Sequence, residues 1–111
     1  MFTQEPITDE LVASVTRKIV ERFHPKRIIA FGSYARGDHT PYSDLDLLVV
    51  METKKSFVDR TVEVDSIFGL RGWPMDIVVY TPAEFAARQQ VWGTLAATIK
   101  AEGKVLYEES R

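Results

Sequence analysis

Gly32-Ser33 is followed, after ten intervening residues, by Asp44-Leu45-Asp46, and the chain then runs straight into Leu47-Leu48-Val49-Val50. Leu45 to Met51 reads as a strand. Successive strand side chains point to opposite faces, so Asp44 and Asp46, two apart, project from the same side. Aspartate is depleted in strands, and two like charges ~4 Å apart repel by about 4 kcal/mol at an effective dielectric near 20. An idle pair would be costly here. A divalent cation turns that repulsion into attraction, so the pair reads as a set of hard oxygen ligands.

The chemistry this suits is nucleotidyl transfer, in which a triphosphate is held while negative charge builds on the departing pyrophosphate. Two metal ions about 3.5–4 Å apart serve that purpose and call for several acids converging on one point. Asp44, Asp46 and Asp76 are the candidates. Asp76 stands at the mouth of a further apolar run, Met75 to Tyr80, and a strand pairing that sets it beside Asp46 would complete a three-carboxylate cluster. Gly32 has no Cβ, so its backbone can approach a phosphate closely, and Ser33 adds a hydroxyl and a backbone N–H. Together they form a candidate triphosphate cradle. The P-loop pattern is absent, because no Gly-Lys-Ser/Thr ending follows the glycine, and ATPase or kinase chemistry of that type is set aside.

Several elements must position these residues. Val12, Val15, Ile19 and Phe23 recur at three-four spacing and predict an amphipathic helix from about Thr8 to Phe23, with Asp9 and Glu10 at its positive end. Pro25 ends it. Arg27 to Phe31 reads as a first core strand delivered into Gly32-Ser33, and Ser33 to Arg36 as a short helical turn before a polar loop, Gly37 to Ser43. The second strand, Leu45 to Met51, is nearly continuous in apolar character, which implies burial on both faces. Val58, Val62 and the Ile67-Phe68 pair suggest a covering helix within Lys55 to Leu70. A turn-rich break from Gly69 to Pro74 precedes the third strand, Met75 to Tyr80. Thr81-Pro82-Ala83-Glu84 then carries N-cap, first-turn proline and capping-box glutamate in order. The helical stretch it opens reaches about Ala101, with a break at Gly93, and ends at Gly103, after which Lys104 to Tyr107 reads as an edge strand.

With 111 residues, 45% hydrophobic and 27% charged, the chain has the balance of one ordinary globular domain, residues 1–111, with little room for a separate substrate-binding unit. A partner is therefore expected to supply what the reaction lacks. The net charge of -2 and the absence of Lys/Arg runs longer than two disfavour direct nucleic-acid binding. No cysteine means no disulfide framework and no thiolate metal site. Nothing resembles a signal peptide or a membrane-length apolar run, so no membrane association and a cytoplasmic location are expected.

The motif resembles that of the nucleotidyltransferase superfamily with a DNA polymerase β-like palm: Gly-Ser, about ten residues, Asp-x-Asp, and a later third acid. The wording Phe31-Gly32-Ser33-Tyr34-Ala35-Arg36-Gly37, Ser43-Asp44-Leu45-Asp46-Leu47-Leu48-Val49 and the Lys104 to Glu108 ending are similar to the minimal nucleotidyltransferases. This resemblance, spanning roughly Arg27 to Tyr107, implies an α/β (α+β) fold with a mixed β-sheet flanked by helices. It also implies an antitoxin paired with a helical HEPN ribonuclease toxin in a hetero-oligomeric complex, transferring AMP from ATP onto a tyrosine of that toxin with Mg²⁺, two ions in all. Gly32 and Ser33 would contact the triphosphate, Asp44 and Asp46 would bind both metals, and Asp76 would serve as ligand or base. Many members carry arginine where this chain has Tyr34.

Plainer readings compete. Gly32-Ser33 could be an ordinary strand-ending turn, Asp44 a turn cap and Asp46 a charge that protects an edge strand. Arg36 could pair with Asp38 rather than with a phosphate, His39 reads as a solvated loop residue, and Trp73 and Trp92 as core or interface anchors. Two other functions stay open: transfer to a small molecule, as in aminoglycoside-modifying relatives, and a non-catalytic antitoxin that masks its toxin by binding.

Overall fold

The computed structural model describes residues 5–110. Four strands form one mixed sheet in the order β3-β2-β1-β4, and five helices pack around it. The strands are β1 (Arg27–Phe31), β2 (Leu45–Val50), β3 (Met75–Tyr80) and β4 (Lys104–Glu108). The helices are α1 (Asp9–Phe23), α2 (Gly32–Arg36), α3 (Phe57–Ser66), α4 (Pro82–Arg88) and α5 (Leu95–Glu102). β1 is antiparallel to both β2 and β4, whereas β2 and β3 run parallel. The expected mixed sheet flanked by helices is what forms.

Strand alternation divides the core in two. Leu45, Leu47 and Val49 of β2 join Met75, Ile77 and Val79 of β3 and Val12, Val15 and Ile19 of α1 in the larger cluster. Leu48, Val50 and Tyr80 face the other way, toward Phe85 of α4 and Ala96 and Ile99 of α5. β2 is thus buried on both faces, as its unbroken apolar run required. Asp46 shares the parity of Leu48 and Val50, so it belongs to the α4/α5 face at the end where β2 begins.

Local signals hold at most termini. Thr8 caps α1 by accepting from Leu11 N at 3.1 Å, and Thr81 and Glu84 complete the capping box of α4. The last helical stretch is interrupted around Gly93, which takes φ +84°, and restarts at Leu95 behind a Thr94 cap. The helix over α3 exists, and the expected Ile67-Phe68 pair packs on the core, but the rest of its inner face is not the expected one. Val58 and Val62 are 67% and 60% exposed, and Arg60 and Val64 are turned inward instead. Arg60 tolerates burial because its guanidinium donates to Lys55 O, Val79 O and Glu84 Oε1, the last at 2.6 Å. A charged residue filled the i, i+4, i+8 stripe that apolar counting assigned to its neighbours.

Candidate active site

β1 ends at Phe31, which pairs with Asp46 across the antiparallel ladder, and the chain turns at once into α2. Gly32 takes φ +72°, a left-handed conformation that L side chains rarely adopt. A Cβ built at Gly32 would collide with Asp46 Oδ2. Backbone geometry and close approach therefore demand glycine together, and the Gly-Ser turn lies directly against the second aspartate of the Asp-x-Asp motif. The N-cap of α2, Phe31, contributes no side-chain hydrogen bond, so the first-turn N–H groups of Gly32 and Ser33 carry no capping side chain.

The parallel register of β2 and β3 places Asp46 directly opposite Asp76. In-register neighbours of parallel strands project to the same face at a backbone spacing of about 4.8 Å. Asp46 is half-buried, whereas Asp44 and Asp76 are exposed. Burial pushes the Asp46 carboxyl up to about 6, with the charges of Asp76 and Asp44 adding to the rise and Arg36 opposing it. Both acids thus lie close enough to Asp46 to disfavour its ionised form. Among the described residues no three acidic or imidazole side chains are already gathered closely enough to hold a metal ion. The donor set nonetheless fits magnesium, being all carboxylate oxygen and arranged on one sheet end with two of its three members open to solvent.

The remaining residues near the motif fall mostly to structural duties. Arg36 pairs with Asp38 at 3.4 Å. Tyr34 is buried, and its hydroxyl donates to Asp9 Oδ1 at 2.6 Å, which ties α2 to the start of α1. Burial foremost, then that hydrogen bond, raises the Tyr34 pKa to about 12. The Lys104 ammonium lies 5.3 Å from the centre of the Tyr34 ring. His39 differs from its expected solvated state: its ring sits 5.0 Å from that of Tyr34 and its Nδ1 is buried without a hydrogen-bond partner. Trp73 packs edge-on to Phe68 beside the larger core, whereas Trp92 is 96% exposed and anchors nothing within the described residues.

A sheet that brings an Asp-x-Asp strand beside a third aspartate, with a Gly-Ser turn closing over one end, defines a nucleotidyltransferase domain. The sequence profile of the family described as "Nucleotidyltransferase domain" matches residues 13–105, and the chain belongs to that family. It is similar to a Methanocaldococcus jannaschii protein provisionally named a protein adenylyltransferase, at 42% identity over 57 residues. That match covers 51% of this chain and 55% of the relative, so the chain spans only about half the length of that protein. It is also 36% identical over 74 residues to the protein adenylyltransferase MntA of Thermococcus cleftensis, covering 64% of this chain and 74% of that one. Among solved structures, a Sulfolobus solfataricus protein provisionally named a nucleotidyltransferase superposes with a TM-score of 0.62 at 20% identity, covering 90% of this chain and 79% of its own. A toxin–antitoxin structure with AMP-PNP superposes with a TM-score of 0.55 at 20% identity, covering 87% of this chain and 73% of the other. At such identity these two establish the fold alone.

Proposed function

We propose that this chain is an antitoxin of the protein adenylyltransferase type, acting in the cytoplasm, that transfers AMP from ATP to a tyrosine hydroxyl of a partner HEPN toxin. The observation that carries the reading is the juxtaposition of Asp46 with Asp76 in parallel register, with Gly32 pressed against the Asp46 carboxylate. The names of the Methanocaldococcus and Thermococcus relatives and the toxin–antitoxin neighbour support the choice of acceptor class.

In this reading Gly32 and Ser33 receive the triphosphate through backbone N–H groups and the Ser33 hydroxyl. Asp44 and Asp46 would hold two magnesium ions, with Asp76 as a further ligand, and the ions would neutralise the phosphates and lower the pKa of the acceptor hydroxyl. Asp76, exposed at the start of β3, would accept the proton of the attacking phenol. The acceptor oxygen bonds to the α-phosphorus as the bond to the leaving pyrophosphate breaks.

Intact-mass spectrometry of the partner toxin after incubation with this chain, ATP and Mg²⁺ tests the reading, beside an Asp44→Asn/Asp46→Asn control. An AMP-sized gain that needs the intact acids is the expected result. A stable complex in which the toxin is silenced without mass gain, by wild type and control alike, would replace transfer with masking.

A further inference from the structure

The hinge between α3 and β3 is held by Arg71, a residue outside the motif. Its side chain is only 19% exposed. Its Nε donates to Trp73 O and its Nη2 to Met75 O, each at 3.2 Å, while Nη1 pairs with Asp65 Oδ1 of α3 at 3.1 Å. One planar guanidinium thus grips two carbonyls of the segment 73–75 and fixes that segment to a helix. Met75 immediately precedes Asp76. Between the gripped carbonyls, Pro74 O accepts from Leu45 N at 3.0 Å, and Leu45 is the residue between Asp44 and Asp46. A continuous hydrogen-bonded path therefore runs from α3, through Arg71, to the strand starts from which all three acids project.

We propose that Arg71 is a positioning residue for the acid cluster, setting the relation of Asp76 to Asp44 and Asp46 and so the affinity of the cluster for a divalent cation. The inference rests on the reading of those acids as metal ligands. Gly32 and Ser33 follow β1, on the far side of β2 from this hinge. Lysine cannot replace arginine fully, because a point charge cannot span two carbonyls and a carboxylate at once.

The test uses Arg71→Gln and Arg71→Lys beside Val64→Ala, a core change in α3 that lowers stability at a side chain that is no partner of Arg71. Mn²⁺ binding to each protein is titrated by calorimetry without nucleotide, and the Mg²⁺ dependence, kcat and KM for ATP of adenylyl transfer are measured in parallel. We expect Arg71→Gln to weaken Mn²⁺ binding by roughly 10-fold or more, the scale at which residues supporting metal ligands act. Arg71→Lys should be intermediate. The Mg²⁺ needed for half-maximal rate should rise in step, and the rate at subsaturating Mg²⁺ should fall, while Val64→Ala keeps wild-type metal dependence. If Arg71→Gln and Arg71→Lys lose stability as Val64→Ala does but bind Mn²⁺ as wild type does, the hinge is merely structural and the inference fails. If Arg71→Gln does not fold, Arg71→Lys decides alone by the same criterion. Wild-type protein that neither binds Mn²⁺ nor transfers AMP would instead overturn the reading of the acids and this inference with it.

Discussion

Gly32 and Asp46 are in such close approach that a single added carbon on the first would overlap a carboxylate oxygen of the second. The turn and the strand are therefore one unit. Gly32→Ala should cost about 1–2 kcal/mol in stability from its left-handed backbone alone. Displacing the Asp46 carboxylate by even roughly 1 Å should reduce transfer by about 100-fold. Urea unfolding and a transfer assay on the same preparation check both effects. A variant that keeps wild-type turnover would show that Asp46 needs no fixed position.

Asp46→Asn should separate stability from function. Burial and two neighbouring acids disfavour the ionised carboxylate, so the neutral amide should leave the metal-free fold as stable as wild type or more so. Transfer should fall by about 100-fold or more, as when a charge-stabilising group is removed. Thermal melts without divalent cation, set against turnover with Mg²⁺, give the two readouts. A lower melting temperature would mean that the repulsion inferred at Asp46 is absent.

Much of this arrangement was legible in the chain. β1 and β3 fall where expected, and β2 to within one residue, because their apolar runs are short, β-branched and bounded by Gly, Pro or acids. The Asp46–Asp76 pairing was expected on chemical grounds, but parallel register depends on the right crossover through α3, which no local signal encodes. Nor does spacing disclose that Gly32 touches Asp46, or that Tyr34 bonds a residue 25 positions earlier. Val58 and Val62 turn outward for a different reason. Hydrophobic counting treats Arg60 as a surface residue, and only the tertiary partners Val79 and Glu84 make its burial tolerable.

Tyr34 gives the fold an alkaline limit. Its folded pKa, near 12, lies above the ordinary value of 10, so the neutral phenol is favoured in the native state. A raised folded pKa contributes stability that is complete below pH 10 and disappears as pH climbs through about 12. Tyr34→Phe removes the hydroxyl while keeping the ring against His39 and Lys104, and should cost about 1.5–3 kcal/mol at neutral pH, the scale of a hydrogen bond to a charged acceptor. The gap between wild type and variant should close on the alkaline side. Denaturant melts at neutral pH and across that alkaline window test it, and a constant gap would remove the Asp9 hydrogen bond as its cause.

The Arg60–Glu84 pair should set the acid limit instead. Glu84 accepts from the Thr81 backbone, which lowers its pKa foremost, and burial opposes this while Arg60 and Arg88 lower it further. A lowered folded pKa gives stability that is present above the usual carboxylate range and is lost as pH falls through the folded value. Glu84 serves two elements at once, since the same Oε1 receives Thr81 N at 2.8 Å and Arg60 Nη1 at 2.6 Å. Glu84→Gln keeps the capping geometry but leaves the buried guanidinium without its counter-charge, so about 3 kcal/mol of destabilisation at neutral pH is expected. Because Arg60 also bonds Lys55 O and Val79 O, the loss should loosen α3 against β3 rather than unfold the sheet. Amide hydrogen exchange should show protection falling first in α3 and the first turn of α4, with β1 and β2 unaffected. In acid the variant and wild type should converge, because protonated Glu84 no longer carries the charge that glutamine lacks. A variant as stable as wild type at neutral pH would assign Arg60's tolerance of burial to the two carbonyls alone.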